Sequence, residues 1–493
     1  MEKLELLNFY NKWWLTDKVP IELYQEFERV VFHLIEDRLP YSYPSNRIIS
    51  LIGLRRTGKT TILYQLIHAL LKEKINPRRI LFLNISDPII ANNQELLEEM
   101  LKEYQNNVLR EDFASLSEPI YLFLDEIQYL PKWELFIKRY VDLRFKIKFI
   151  ITGSSSLKIS KKSKESLVGR LDEWRIYPLS FTEFIKFKDH IDKSRNINSE
   201  KTFNLLNFRY SVTGYGRLSS GILRYLGLYQ SFSSLGKKLL EKKIEIYAGQ
   251  LFFQTRLNEY IEKGGFPEII NLESVDLSYR YLNQDVLDRI LTQDIPQIAQ
   301  VRDPQLLQTL LVYCTQKTAS TLSYDRLSKD TGARIETIRN YFSYLSSSFL
   351  INIINKYKKT EVGKYKSSKK VYLADLGLRN SILKLDSRII HSEQHKGINA
   401  ETLVVNYLIN ERREIAFWKK DDYEVDIVVK DLGNIFPIEV KYRKIINKED
   451  IAGLIKFSQL HKTGGGIVIT ESKLDFEDNI VYIPLWLSLL LLS

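Results

Sequence analysis

Gly53-Leu54-Arg55-Arg56-Thr57-Gly58-Lys59-Thr60 is the stretch on which the reading of this chain turns. It follows the apolar run Ile48 to Ile52 and leads into the helical Thr61-Ile62-Leu63-Tyr64-Gln65-Leu66-Ile67. A turn bounded by glycines thus joins a strand to a helix and matches G-x-x-x-x-G-K-[ST] in the context that motif requires. Gly53 and Gly58 let backbone N–H groups turn inward around phosphates, and the helix N-terminus at Thr60 and Thr61 adds positive potential. Lys59 is expected to reach the outer phosphates, and Thr60 to offer its hydroxyl to Mg²⁺. The ligand implied is ATP with Mg²⁺.

Outward from this loop, Ile80 to Asn84, Ile120 to Leu124 and Phe149 to Thr152 are short apolar runs separated by amphipathic segments. Such runs suit strands buried on both faces of a parallel sheet, so the fold class is α/β. The third run ends in Asp125-Glu126. A carboxylate there can hold the Mg²⁺ water shell while its neighbour orients the attacking water, which assigns Asp125 to the metal and Glu126 to water activation. Alone, the pair could equally cap the following turn. The fourth run ends in Thr152-Gly153-Ser154-Ser155-Ser156, hydroxyls placed to sense a γ-phosphate or to form a turn.

Four further segments occur in order: Ile150 to Ser155, Leu167-Val168-Gly169-Arg170, Pro178-Leu179-Ser180-Phe181-Thr182-Glu183-Phe184, and Gly264-Gly265-Phe266-Pro267-Glu268. Together they resemble the archaeal and bacterial AAA+ ATPases whose C-terminal region is a domain of unknown function. The resemblance implies Thr152 or Ser154 as first sensor and Arg170 as an arginine finger, acting in a homo-oligomer, or a related phosphate contact. From the residues alone, Arg170 is an arginine after a glycine, whose default role is a surface ion pair. Residues 189–249 carry no assignable motif.

Lys and Arg outnumber Asp and Glu by 72 to 61, a net charge of +11. That balance favours polyanionic partners, nucleic acid first, although a solvated lysine-rich surface gives the same count. Cys314 is the single cysteine, so no internal disulfide is available. The start MEKLELLNFYNKWWL lacks a signal-peptide pattern, and Ile480 to Leu492, the most apolar stretch, is too short to span a membrane. A cytoplasmic protein with a buried C-terminal strand and helix is expected, without a membrane partner.

Tyr324 to Lys329, a turn at Asp330-Thr331-Gly332 and a helix from Arg334 to Ser346 have the layout of a helix-turn-helix. Lys356 to Lys370, with seven lysines and Glu361 as the one acid, follows as a basic wing. The AAA+ family resembled has a winged helix here. Arg334, Arg339, Lys358, Lys359, Lys364 and Lys366 are the phosphate-contact candidates for DNA. A helical domain with a solvated hairpin is the plain alternative.

Glu424-Val425-Asp426 and Glu439-Val440-Lys441 read as neighbouring strands, with Glu439 and Lys441 on one face and Glu401 upstream on a helix. This order resembles PD-(D/E)xK restriction-endonuclease-like nucleases. The resemblance implies Mg²⁺ on Asp426 and Glu439, Glu401 as the helix acid, and Lys441 positioning water. Fold and cleavage are separate expectations.

The domains expected are a helical lead-in at 1–45, an AAA+ core at 46–180, and a helical lid with linker helices at 181–300. A winged helix at 301–372 and a nuclease-like α/β domain at 373–493 follow. The function expected is ATP turnover controlling the engagement or processing of DNA, with metal-dependent cleavage as a second activity. The rival is an ATP-switched signalling or scaffold protein with an inert nuclease-like domain.

Overall fold

The computed structural model describes residues 2–42, 47–153, 167, 169–194, 231–299, 301–358, 363, 367–431 and 433–491. The chain divides into two compact units. One comprises Met1–Tyr177, Gln293–Gln300 and Ser347–Phe349; the other comprises Pro178–Thr292, Val301–Ser346 and Leu350–Ser493. Among the described residues no helix is long and apolar enough to cross a membrane.

The first unit is built on five parallel strands, β1 (Ile48–Ile52), β2 (Ile80–Asn84), β3 (Ile120–Asp125), β4 (Ile147–Gly153) and β5 (Leu171–Arg175), in the order β2-β3-β4-β1-β5. β1, β3 and β4 are buried along their whole length, which is why they read as unbroken apolar runs rather than alternating ones. β5, Leu-Asp-Glu-Trp-Arg, is half-buried at the sheet edge and carries no such run, so no apolar signal announced it. Because all five strands point the same way, the residues that follow β1, β3 and β4 meet at one edge. There Leu51 pairs with Thr152, and Leu124 with Ile151.

The other edge strand, β2, is closed by the N-terminal lead-in. Asn11 Nδ2 donates to the Phe82 carbonyl at 3.0 Å and Asn11 Oδ1 accepts from the Phe82 amide at 2.7 Å. The indoles of Trp13 and Trp14 both donate to the Ile80 carbonyl, at 3.1 and 2.9 Å. Side chains thus satisfy backbone groups that would otherwise template pairing with another strand.

The second unit contains a nine-stranded mixed sheet. Its strands are β6 (Ser320–Leu322), β7 (Ile351–Lys356), β8 (Lys369–Leu373), β9 (Glu414–Lys420), β10 (Tyr423–Asp431), β11 (Asn434–Lys441), β12 (Gly466–Thr470), β13 (Asp475–Glu477) and β14 (Ile480–Pro484). The order is β13-β14-β12-β11-β10-β9-β7-β8-β6. The sheet runs through the expected boundary at 372/373, because β7 pairs in parallel with β9 through Asn355–Ala416 and Lys356–Phe417. The apolar tail forms β14 and the helix Leu485–Leu491, all of it buried.

The break at Gly264-Gly265 has a packing cause. Asp375, buried at the start of the helix Leu376–Leu383, accepts from the Gly265 amide at 2.9 Å and the Leu378 amide at 3.0 Å. A Cβ on Gly264, whose φ is +84°, would lie 2.2 Å from the Asp375 carboxylate. Burial pushes the Asp375 carboxyl up to about 6 against those amide bonds.

Candidate functional site: a phosphate loop and a C-terminal carboxylate cluster

β1 ends at Ile52 and the helix Lys59–Lys72 begins directly after Gly58, with the loop between them. Gly58 has φ +89° and open space where a Cβ would stand, while a Cβ on Gly53 would lie 2.0 Å from the Ile176 carbonyl. Both glycines are therefore needed, one for its backbone angle and one for a close approach. Lys59 is buried and donates to the loop's own carbonyls, Gly53 at 3.2 Å and Leu54 at 2.8 Å. Burial draws its ammonium below the ordinary lysine value, although Glu126 and Asp125 work the other way. Thr60 and Thr61 open the helix, half-buried.

Asp125, at the end of β3, is the centre of the site. Its Oδ2 accepts from the Thr60 hydroxyl at 2.8 Å, and its Oδ1 accepts from the Thr152 hydroxyl at the end of β4. The Thr152 oxygen in turn accepts from the Glu126 amide at 2.8 Å. Burial, then the charge of Glu126, pushes the Asp125 carboxyl up to about 6, with both threonine bonds opposing. Glu126 sits at φ +55°, a left-handed backbone uncommon for a side-chain-bearing residue and frequent where function over-determines geometry. Its carboxylate accepts from the Gln128 amide group. A hydroxyl and a carboxylate facing one another above a phosphate-sized cradle form a donor set that fits Mg²⁺ with a nucleotide.

Two features of this site carried no motif. Arg55, inside the loop, is bound by Asp294 through Nε at 2.8 and 2.9 Å and Nη2 at 2.6 Å, and it also donates to the Tyr129 hydroxyl at 3.0 Å. Arg29, from the lead-in, donates to the Thr57 carbonyl at 3.0 Å and the Tyr177 carbonyl at 2.9 Å. Asp294 lies 239 residues from its partner, a distance no spacing rule bridges.

Arg170 stands at the opposite end of β1. Its carbonyl accepts from the Ile48 amide at 2.8 Å, and its guanidinium pairs with Asp142 at 2.6 Å. The length of β1, roughly 15 Å at about 3.3 Å per residue, separates it from its own phosphate loop. Ser154 lies outside the described residues.

In the second unit Glu401, Asp426, Glu439 and Lys441 are brought together, with Lys370 of β8 among them. Glu401 Oε1 accepts from the Lys370 ammonium at 3.1 Å and the Tyr372 hydroxyl at 2.7 Å. The same ammonium lies 2.8 Å from Glu424 Oε1 and 3.8 Å from Asp426 Oδ1. Asp426 Oδ2 accepts from the Val440 amide at 2.9 Å, and Glu439 lies against Lys441 at 2.5 Å. Burial, then the Asp426 charge, pushes Glu401 up to about 7 and Glu439 up to about 8. Among the described residues no group of three or more His, Cys, Asp and Glu side chains is arranged to hold a metal ion. The set expected to carry Mg²⁺ on Asp426 and Glu439 suits one poorly, because the Lys370 and Lys441 ammonium groups already stand against these two carboxylates.

The helices Pro304–Gln316, Tyr324–Thr331 and Ile335–Ser347 precede β7 and β8. Arg334, Arg339 and Lys358 are exposed, Arg339 lying over the Tyr324 ring at 5.4 Å. Lys359, Lys364 and Lys366 lie outside the described residues.

Residues 45–185 match the family model described as AAA domain, and residues 254–388 and 396–488 match two domains of unknown function, DUF8612 and DUF4143. Among curated proteins the chain is 29% identical over 394 residues to the uncharacterized protein MJ1544 of Methanocaldococcus jannaschii, covering 78% of this chain and 72% of that one. It is 23% identical over 451 residues to an uncharacterized protein of Haemophilus influenzae, covering 88% and 92%. Among solved structures, the Aeropyrum pernix ORC2 protein in its ADPNP-ADP complexes aligns with TM-score 0.37 at 11% identity over 76% of this chain and 97% of that one. The ORC1 protein of the same organism in complex with DNA aligns with TM-score 0.29 at 14% identity, over 76% and 96%.

Proposed function

We propose that this chain is an AAA+ ATPase that binds ATP with Mg²⁺ at the phosphate loop, hydrolyses it, and uses the turnover to control engagement of DNA. The observation that carries the reading is the linked set at the carboxyl edge of the first sheet, where the Thr60 hydroxyl, the Asp125 carboxylate, the Thr152 hydroxyl and the Glu126 amide are joined in one chain of hydrogen bonds. Thr60 and Asp125 are the residues that would hold Mg²⁺, which when bound supplies charge neutralisation on the phosphates. Lys59 exchanges backbone carbonyls for phosphate oxygens. Glu126 orients the attacking water and takes its proton, and Thr152 ties that carboxylate's backbone to the metal side of the site. Arg170, remote from its own loop, acts on the site of a neighbouring subunit in a homo-oligomer.

The DNA part of the proposal rests on the net charge of +11 and on the exposed Arg334, Arg339 and Lys358 of a segment whose helix and strand order suits a winged helix. The test is the rate of ATP turnover with single-stranded, duplex and branched DNA. Stimulation that Arg334→Gln, Arg339→Gln and Lys358→Gln together abolish supports it. Turnover indifferent to every DNA leaves an ATPase with some other client. Mixing Arg170→Ala subunits with Lys59→Ala subunits tests the finger, and verified mixed oligomers that recover no turnover overturn a trans role.

A further inference from the structure

We propose that Lys370 takes the place of a divalent cation in the C-terminal carboxylate cluster, so that this domain is held together by an internal ammonium and does not carry out metal-dependent phosphodiester cleavage. The inference concerns the second unit alone and stands whether or not the phosphate loop hydrolyses ATP.

Three carboxylates from two elements face one Lys370 Nζ: Glu401 at 3.1 Å from the helix Glu393–Asn410, and Glu424 and Asp426 at 2.8 and 3.8 Å from β10. The lysine side chain is 5% exposed, so its charge is neutralised by these groups rather than by water. A hard divalent cation needs several of the same oxygens at about 2.0 to 2.6 Å, with its charge unopposed. Here several of those oxygens already face donors within the chain. Glu401 Oε1 takes two donors, Asp426 Oδ2 takes the Val440 amide, and the two Glu439 oxygens face Lys441 at 2.5 Å and the Asp426 amide at 3.4 Å. A divalent cation bridging these acids would have to displace the Lys370 ammonium, which already stands between Glu401, Glu424 and Asp426.

The position of Lys370 gives it a further role. It lies in β8, which among the described residues pairs with β7 on one side and the edge strand β6 on the other. Its ammonium therefore reaches past β7 and β9 to Glu424 and Asp426 on β10, fastening β8 to the C-terminal strands.

The experiment is a calorimetric titration of the nucleotide-free full chain with Mn²⁺, in wild type, Lys370→Ala and Lys370→Ala/Asp426→Asn. The expected result is no site in wild type, one site in Lys370→Ala, and loss of that site in the double variant. Micromolar Mn²⁺ binding by wild type that Asp426→Asn removes overturns the proposal, as does a folded Lys370→Ala chain that gains no Mn²⁺ site. If Lys370→Ala does not fold, the wild-type and Asp426→Asn titrations decide alone. Heat that Asp426→Asn abolishes refutes the replacement, and its absence upholds it.

Discussion

At the phosphate loop Lys59 donates to the carbonyls of Gly53 and Leu54 while Asp125 accepts from the hydroxyls of Thr60 and Thr152; in the C-terminal sheet Lys370 and Lys441 lie against the carboxylates themselves. Both Lys59 and Lys370 are 4% exposed, so burial does not distinguish them. Their partners do. Burial lowers the Lys59 ammonium, whereas Glu401, Asp426 and Glu424 raise that of Lys370 although burial opposes them. An acidic site that keeps its carboxylate on neutral hydroxyls, with its lysine parked nearby, is poised to exchange those contacts for a cation and phosphates. An acidic site whose carboxylates already face two ammonium groups has part of its charge balanced within the chain. Residue types alone do not separate the two cases, because each has acids and a lysine within reach.

The largest effect that would break this comparison is catalytic. Glu126→Gln is expected to lower ATP turnover by about 10²-fold or more while leaving ATP affinity nearly unchanged, as loss of a positioned acid–base group does. Lys59→Ala is expected to weaken ATP binding itself. Nucleotide titration beside steady-state turnover reads both, and a Glu126→Gln enzyme with wild-type turnover would remove the carboxylate from the reaction.

The next effect is on stability and sets the two lysines against each other. Lys370→Ala strands buried carboxylates and is expected to cost about 3 to 5 kcal/mol in chemical denaturation, the range for removing one partner of a buried ion pair. Lys59→Ala in nucleotide-free protein removes an ammonium bonded only to carbonyls and is expected to change stability by about 1 kcal/mol or less. Equal losses would mean that the two buried lysines are used alike.

Asp375 is a third buried acid, bonded to backbone amides and raised from 3.8 to about 6. A raised carboxyl contributes stability that is full below its unfolded value and lost as pH rises through its folded one. The advantage of wild type over Asp375→Asn should therefore shrink between pH 4 and pH 7, by about 3 kcal/mol at about 1.4 kcal/mol per unit. Denaturant midpoints for both proteins across that range give the answer, and a constant difference would show that the group does not titrate there. The smallest effect belongs to the exposed cations. Arg334→Gln, Arg339→Gln and Lys358→Gln should each make the dependence of DNA affinity on salt shallower by about one unit, and an unchanged slope returns that residue to ordinary surface.

The parallel sheet and its loop were legible because a strand buried on both faces leaves an unbroken apolar run and a phosphate cradle needs glycines at fixed spacing. The assignment of Asp125 to the same edge as Thr60 and Thr152 followed from strand ends alone. β5 was not legible, since a half-buried edge strand carries mixed residues. Arg55 with Asp294 was hidden by its separation in sequence. In the C-terminal domain the order of Glu401, Asp426, Glu439 and Lys441 was readable, but not Lys370. It appeared as one of seven lysines in a basic segment, and only the pairing of β8 with β7, and of β7 with β9, brings it to the acids.

Electron paramagnetic resonance of Mn²⁺ titrated into the full chain, with and without ATP, tests the contrast between the two sites most directly. The account predicts one tightly bound ion per chain only when ATP is present, lost in Asp125→Asn and retained in Asp426→Asn. An ion bound without nucleotide and removed by Asp426→Asn, or an ATP-dependent ion indifferent to Asp125→Asn, would contradict it.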